Sequence, residues 1–273
     1  MNMPLCPANI ATRHISIKQR IALNFSRAAG SYDRASALQQ RVAARVMQAL
    51  PERLLTCDAM RIVDLGTGTG QHAQTLAQRY DGATVIGMDL AMGMLNFARA
   101  NHPKVHWCLG DIESMPLQGN SVDLLYSSLA IQWCCFSQVL GEVTRVLKPG
   151  GTFAFATLAQ GSLAELDHAW CAAGEHGRVN HFASFTTQRD IARSSALVDR
   201  QLSLTAETLY YPDTPTLLHS LRALGVNTIL AGNSGLLTRQ KLNALVGAYE
   251  RLRQPQGLPL TYQIVCGVLH KPQ

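Results

Sequence analysis

Gly66, Gly68 and Gly70 stand at alternate positions just after the short apolar run Arg61-Ile62-Val63-Asp64-Leu65, and Gln71-His72-Ala73 follow them. A β-branched run closed in this way reads as a buried strand turning sharply into a helix. Glycine lets such a turn take backbone conformations that a Cβ would block, and lets a ligand lie against the main chain. The spacing is G-x-G-x-G, with Thr67 between the first two glycines, and not the G-x-G-x-x-G that seats a pyrophosphate on a helix N-terminus. Asp64 beside the loop suits a ligand carrying an ammonium group. Asp89 ends the next apolar run, nineteen residues after Gly70, near the ~20-residue offset at which a carboxylate meets ribose hydroxyls in nucleoside-binding α/β folds. The chemistry open to this set is capture of a nucleoside that also bears an ammonium group.

Together with Gly110-Asp111-Ile112-Glu113, these residues resemble the S-adenosylmethionine site of class I methyltransferases. The resemblance implies S-adenosyl-L-methionine as methyl donor and no metal. It assigns Asp64, Gly66, Thr67, Gly68 and Gly70 to the cofactor loop, and Asp89 with Leu90 to the nucleoside. Asp111 would accept from the adenine amino group, Ile112 would pack on the ring, and Ser127 would end a strand where the transferred methyl group sits. Methyltransferases acting on adenine or cytosine amino groups carry Asn/Asp-Pro-Pro-aromatic at that point; here the chain reads Ser127-Ser128-Leu129-Ala130. The Pro-Cys nucleophile of cytosine C5 enzymes is absent as well, so nucleic acid is not the expected substrate. Cys134-Cys135, a few residues on, reads as packed thiols.

A narrower resemblance covers the chain from about Ser16 to Pro272. Phe25-Ser26-Arg27-Ala28-Ala29-Gly30-Ser31-Tyr32-Asp33, Ile131-Gln132-Trp133-Cys134, Leu221-Arg222 with Leu224-Gly225, and Leu260-Thr261-Tyr262 are similar to the malonyl-acyl-carrier-protein O-methyltransferases of biotin synthesis. The chemistry implied is methyl transfer from a sulfonium to the free carboxylate of a malonyl thioester, with malonyl-acyl-carrier protein or malonyl-CoA as partner. Such a carboxylate is ionised near neutral pH, so no general base is required, and catalysis rests on positioning in a dry cavity. By resemblance Tyr32 closes over cofactor and substrate while Gln132 and Trp133 line the substrate side. A cationic clamp, best an arginine in bidentate geometry, is sought among Arg27, Arg145, Arg178 and Arg222, because Gly141 replaces the arginine of a Leu-Arg-Glu run common in that family. Arg145 precedes the Lys148-Pro149-Gly150-Gly151 turn and suits a structural role. His72 and His181 are weak candidates. Methylation of another small molecule, such as a quinone ring carbon, and a silent methyltransferase fold serving as a binding subunit are the alternatives. The first would need a base near Ser127, and the second need not keep a cofactor loop.

Several elements must position these residues. Ile17, Ile21 and Phe25, then Leu38, Val42, Val46 and Leu50, repeat at helical spacing, predicting two helices over 16–50, broken near Gly30, that pack over the ligand crevice after a mobile arm over 1–15. Strands are predicted over 61–65, 84–89, 105–109, 122–127 and 152–157, alternating with helices over 71–80, 92–101 and 137–147. Such alternation predicts a parallel sheet covered by helices on both faces. Beyond Thr157, helices over 163–174 and within 216–249, split at Gly232-Asn233-Ser234-Gly235, flank strands over 203–211 and 261–269. With the resemblance, the fold class is α/β, a Rossmann-like seven-stranded and mostly parallel sheet with the last strand antiparallel. The expected organisation is a helical arm and lid over 1–55, the cofactor-binding core over 56–160, and cap insertions plus the last strands over 161–273.

The 273 residues, 47% hydrophobic and 15% charged, describe an ordinary globular chain. No apolar run approaches the ~20 residues of a membrane span, and Met1 to Ile10 lacks the features of a secretory signal, so a cytoplasmic protein without a membrane partner is expected. Seven cysteines without a C-x-x-C pair suggest reduced, mostly packed thiols. The net charge of +6 favours an acidic partner. Up to residue 55, Arg13, Lys18, Arg20, Arg27, Arg34, Arg41, Arg45 and Arg53 face only Asp33 and Glu52, which suits either a solvated helix face or a docking surface for an acidic macromolecule such as acyl-carrier protein.

Overall fold

β1 (Arg61–Leu65) is buried at every position but the first, as an apolar strand covered on both faces must be. It pairs in parallel with β2 (Thr84–Asp89) on one side and β4 (Val122–Ser128) on the other. β3 (His106–Leu109) extends the sheet beyond β2, and β5 (Leu147–Leu158) lies beside β4, both parallel. β7 (Leu258–His270) then inserts antiparallel between β5 and β6 (Val198–Tyr211). The order is β3-β2-β1-β4-β5-β7-β6, the expected seven-stranded sheet with its last strand antiparallel. The computed structural model describes residues 11–50, 60–224 and 238–273; Cys6, Cys57, Gly225 and the Gly232–Gly235 turn lie outside the described residues.

The helices are α1 (Ala11–Ala35), α2 (Ala37–Gln48), α3 (Gln71–Arg79), α4 (Met92–Asn101), α5 (Phe136–Val146), α6 (Ala164–Ala172), α7 (Phe185–Ser194), α8 (Thr214–Ala223) and α9 (Arg239–Glu250). Alternate residues of the strands face opposite layers. Ile62, Leu124, Ala154 and Ile264 pack with α2, α3, α6 and α9, whereas Val63, Leu125, Phe153 and Val265 pack with α5 and α7. The connections from β1 run to β2 on one side and, later in the chain, to β4 on the other. The crevice beyond the carboxyl ends at such a reversal is where this architecture binds ligands.

The N-terminal helices differ from expectation in three ways, the first being that α1 already begins at Ala11, inside the arm expected over 1–15. Gly30 lies inside α1, costing about 1 kcal/mol of helix propensity that flanking alanines and packing absorb, and the helix breaks instead at Ser36. The Ser36 hydroxyl bonds the Asp33 carbonyl at 2.9 Å, a local alternative to the helical ladder. Only α1 reaches the crevice. α2 packs flat on the sheet, where the Tyr126 hydroxyl meets the Ala43 carbonyl at 3.3 Å. Helix α7 was not anticipated: its apolar positions are few. β5 begins earlier than expected because Leu147 pairs with Val122.

Candidate active site

The loop after β1 forms the floor of a cleft at the reversal. Gly66 has φ +71°, and a Cβ there would lie 2.2 Å from that of Ala130, so only glycine lets the two loops meet. Gly68 has φ +55° with open space where its side chain would be, leaving its backbone bare to the cleft. Its N–H donates to Asp89 Oδ2 at 2.8 Å, and Ala91 N–H donates to Asp89 Oδ1 at 2.8 Å. Burial pushes the Asp89 carboxyl up while these backbone donors pull it down, and burial prevails.

Asp64, Thr67, Gly70 and Ser127 build the floor without lining the cleft. The Thr67 hydroxyl donates to Asp64 Oδ2 at 2.6 Å. Burial raises the Asp64 carboxyl to about 7 against the pull of Thr67 and of the Ala73 backbone. Gly70 caps α3 in the left-handed region. The Ser127 hydroxyl donates to the Leu65 carbonyl at 2.9 Å, tying β4 to β1; it is Ser128, one residue on, that reaches the cleft wall.

Asp89, Leu90, Asp111 and Ile112 line one side, as the sequence predicts, and Tyr32 and Trp133 cover the other with Phe25. Phe25 meets Trp133 edge-on, ring centroids 5.7 Å apart at 83°, and lies 6.5 Å from Tyr32. Burial drives the Tyr32 phenol well above its ordinary pKa, with the Asp89 and Asp33 charges adding to the effect, so it remains a neutral hydroxyl. Gln132 does not line the cleft. Its amide donates to the Leu129 carbonyl at 2.7 Å, bracing the turn that carries Trp133.

The predicted arginine clamps are not in the cleft. Arg27 and Arg222 are exposed on α1 and α8. Arg145 donates to the Leu117 and Met115 carbonyls at 2.7 and 2.9 Å and pairs with Glu142, the structural role expected of it. Arg178 pairs with Glu175 and lies 5.9 Å over the Trp170 ring. His72 is half-buried near Tyr126 and its imidazole is pulled down to about 4 by desolvation, and so stays neutral. Among the described residues the cation that does line the cleft is Lys18, which pairs with both Asp111 and Glu113. Burial pulls its ammonium down, but bonds to the two carboxylates outweigh that and leave it above the usual lysine value. Sequence reasoning missed Lys18, although Lys18, Phe25 and Tyr32 recur every seven residues, two turns of one helix face.

The cleft encloses a cavity of about 90 Å³, less than the roughly 300 Å³ at which small-molecule sites begin. Its residues fit S-adenosylmethionine. The bare Gly68 backbone suits an amino-acid end, Asp89 a ribose, and Ile112 beside Asp111 an adenine. Among the described residues no group of three or more metal-ligating side chains converges.

Comparison with known proteins agrees. The methyltransferase domain family matches residues 63–155. YcgJ from Bacillus subtilis superposes with a TM-score of 0.58 at 15% identity, covering 86% of this chain and 99% of that one. Geranyl diphosphate C-methyltransferase from Streptomyces coelicolor, solved with S-adenosyl-L-homocysteine, gives 0.52 at 18% identity, covering 86% and 79%. The fold is that of a class I methyltransferase. Among sequences, malonyl-[acyl-carrier protein] O-methyltransferase from Serratia marcescens is 40% identical over 260 residues, 93% of this chain and 96% of that one. The biotin biosynthesis bifunctional protein BioHC of Cellvibrio japonicus is 41% identical over 258 residues, and the chain spans half of its length. The chain belongs to the malonyl-acyl-carrier-protein O-methyltransferase family.

Proposed function

We propose that the protein transfers a methyl group from S-adenosylmethionine to the free carboxylate of a malonyl thioester on acyl-carrier protein, giving the methyl ester that primes chain elongation toward biotin. The observation that carries this reading is 40% identity over nearly the full length of a malonyl-[acyl-carrier protein] O-methyltransferase, joined to a cleft lined by Gly68, Asp89, Asp111 and Ile112. When bound, S-adenosylmethionine supplies an electrophilic methyl group on a sulfonium. The chain's part is to hold, orient and dry the site. Phe25, Tyr32 and Trp133 cover it with aromatic surface, and excluding water bares the attacking carboxylate and strengthens each electrostatic contact. No proton has to leave an ionised carboxylate, and the side chains at hand suit that. Tyr32 is held neutral, Asp89 is engaged by two backbone donors, and Asp111 by Lys18. Carbon methylation, which needs a free base, has less support for the same reason.

The test is transfer from labelled S-adenosylmethionine to malonyl-acyl-carrier protein, with acetyl-acyl-carrier protein as the control lacking a free carboxylate, and malonyl-CoA in parallel. Label on the malonyl forms alone, cleaved by mild base as an ester, is the expected result. Cofactor binding without transfer to any malonyl thioester would overturn the reading.

A further inference from the structure

Helix α1 has two faces of different character. Lys18, Ile21, Phe25 and Tyr32 turn into the cleft. On the opposite side Arg20, Leu23, Arg27, Gly30 and Arg34 follow one another at steps of three and four residues, and all are exposed. At 1.5 Å per residue this stripe runs roughly 20 Å, the length of a short helix laid alongside.

The stripe is basic throughout. The one carboxylate on α1, Asp33, is turned away and accepts the Thr69 hydroxyl at 2.6 Å. Arg20 and Arg27 form no ion pair with any described residue, and Arg34 reaches only its own helix, at the Gly30 carbonyl. Leu23, 49% exposed, sits among the guanidiniums. On one flank α4 packs so closely that a Cβ on Gly93 would lie 2.6 Å from Ser26; Met92 beside it is also exposed, and α4 has no acidic residue. On the other flank the Ser31 hydroxyl bonds the Ala223 carbonyl of α8 at 3.2 Å, next to exposed Arg222.

We infer that the outer face of α1, centred on Arg20, Leu23, Arg27 and Arg34, docks an acidic helical face of the acyl-carrier protein that delivers the malonyl thioester, an inference that rests on the substrate reading above. Evenly spaced guanidiniums around one apolar residue match carboxylates on a helix, and such rim charges steer encounter and fix register. An anionic bilayer fits less well, because an interfacial helix needs a continuous apolar face to bury and that of α1 is turned into the protein. Single-stranded nucleic acid would use exposed aromatic stacking platforms, and the stripe has none. Because the same helix roofs the cleft, a carrier seated on its outer side is held at the mouth its thioester must enter.

The experiment compares wild type with R20E/R34E, two positions away from the cleft, on malonyl-acyl-carrier protein and on a malonyl pantetheine thioester, which has neither carrier nor phosphate. Expected is a rise of about tenfold in KM for the carrier substrate, a similar rise for wild type in high salt, and pantetheine turnover and cofactor binding within about twofold of wild type. An unchanged KM for the carrier substrate overturns the inference, as does an unchanged KM accompanied by lost retention on anionic vesicles, which would make the stripe a membrane surface. Absence of any transfer by wild type to either thioester would instead overturn the substrate reading.

Discussion

Asp33, near the end of α1, accepts a 2.6 Å hydrogen bond from the Thr69 hydroxyl of the loop after β1. The roof of the cleft is thereby tied to its floor. A second tie lies at the other end of the same helix, where Lys18 pairs with Asp111 and Glu113, and a third between them, where Gly93 N–H donates to Ser26 Oγ at 3.1 Å. Because Phe25 and Tyr32 of the same helix line the cleft, these ties bear on how readily a bound cofactor is released.

Asp33→Ala removes the tie nearest the glycine loop. A hydrogen bond to a charged group contributes up to about 3 kcal/mol when buried and less when partly exposed, so loss of about 1 kcal/mol, a roughly fivefold faster release of S-adenosylhomocysteine, is expected. Stopped-flow dissociation measures it directly. A release rate equal to that of wild type would mean that the roof opens elsewhere.

Gly66→Ala tests the close approach of two loops. The new methyl would meet Ala130 at 2.2 Å on a backbone with φ +71°, combining left-handed strain of roughly 1–2 kcal/mol with overpacking of about 1–3 kcal/mol. The expected result is a lower urea midpoint together with cofactor affinity reduced at least about tenfold. A variant with full affinity would show that the Ala130 loop is free to move aside.

The sheet, the cofactor loop and most of the cleft wall were legible in the sequence because each depends on local pattern. Short β-branched apolar runs ended by glycine or aspartate read as buried strands, Asp89 ends one of them, and Asp111 and Ile112 came from the resemblance to class I methyltransferases. What escaped depends on helix phase and strand parity. Arg27 is off the phase set by Lys18, Phe25 and Tyr32, which a wheel drawn from Tyr32 would have shown, and so it faces solvent. Ser127 and Ser128 alternate across β4, and the one in the interior bonds Leu65 while its neighbour reaches the cleft. Lys18 had only its seven-residue spacing from Phe25 as a local signal, since its ion-pair partners lie 93 and 95 residues away in sequence.

Asp64 predicts a pH dependence. In the unfolded chain an aspartate loses its proton near 3.9, whereas in the folded protein burial keeps Asp64 protonated up to about 7. Between those values the folded state binds the extra proton, so its contribution to stability is complete below about pH 4 and is lost as pH rises through 7. The loss amounts to up to a few kcal/mol. Urea midpoints followed across this window should fall in wild type and fall less in Asp64→Asn. Equal slopes in the two proteins would remove Asp64 from this role.

Cys134 lines the cleft and tempts assignment as a nucleophile. Its surroundings oppose that. Burial raises its thiol far above the usual cysteine range, the Glu113 and Asp111 charges raise it further, and Lys18 offsets only part of this. The attacking species in thiol chemistry is the thiolate, and at neutral pH Cys134 is not one. A methyl donor held in the cleft would find no thiolate to alkylate at Cys134, which leaves a substrate carboxylate as the acceptor. Cys134→Ala should keep methyl transfer to a malonyl thioester within about threefold of wild type, with a stability loss of about 1 kcal/mol from the missing packed sulfur. Iodoacetamide at pH 8 should label exposed Cys171 well before Cys134, as peptide mapping would read. A hundredfold loss of rate in the alanine variant, or methylated Cys134 recovered after turnover, would put a covalent step back into the reaction.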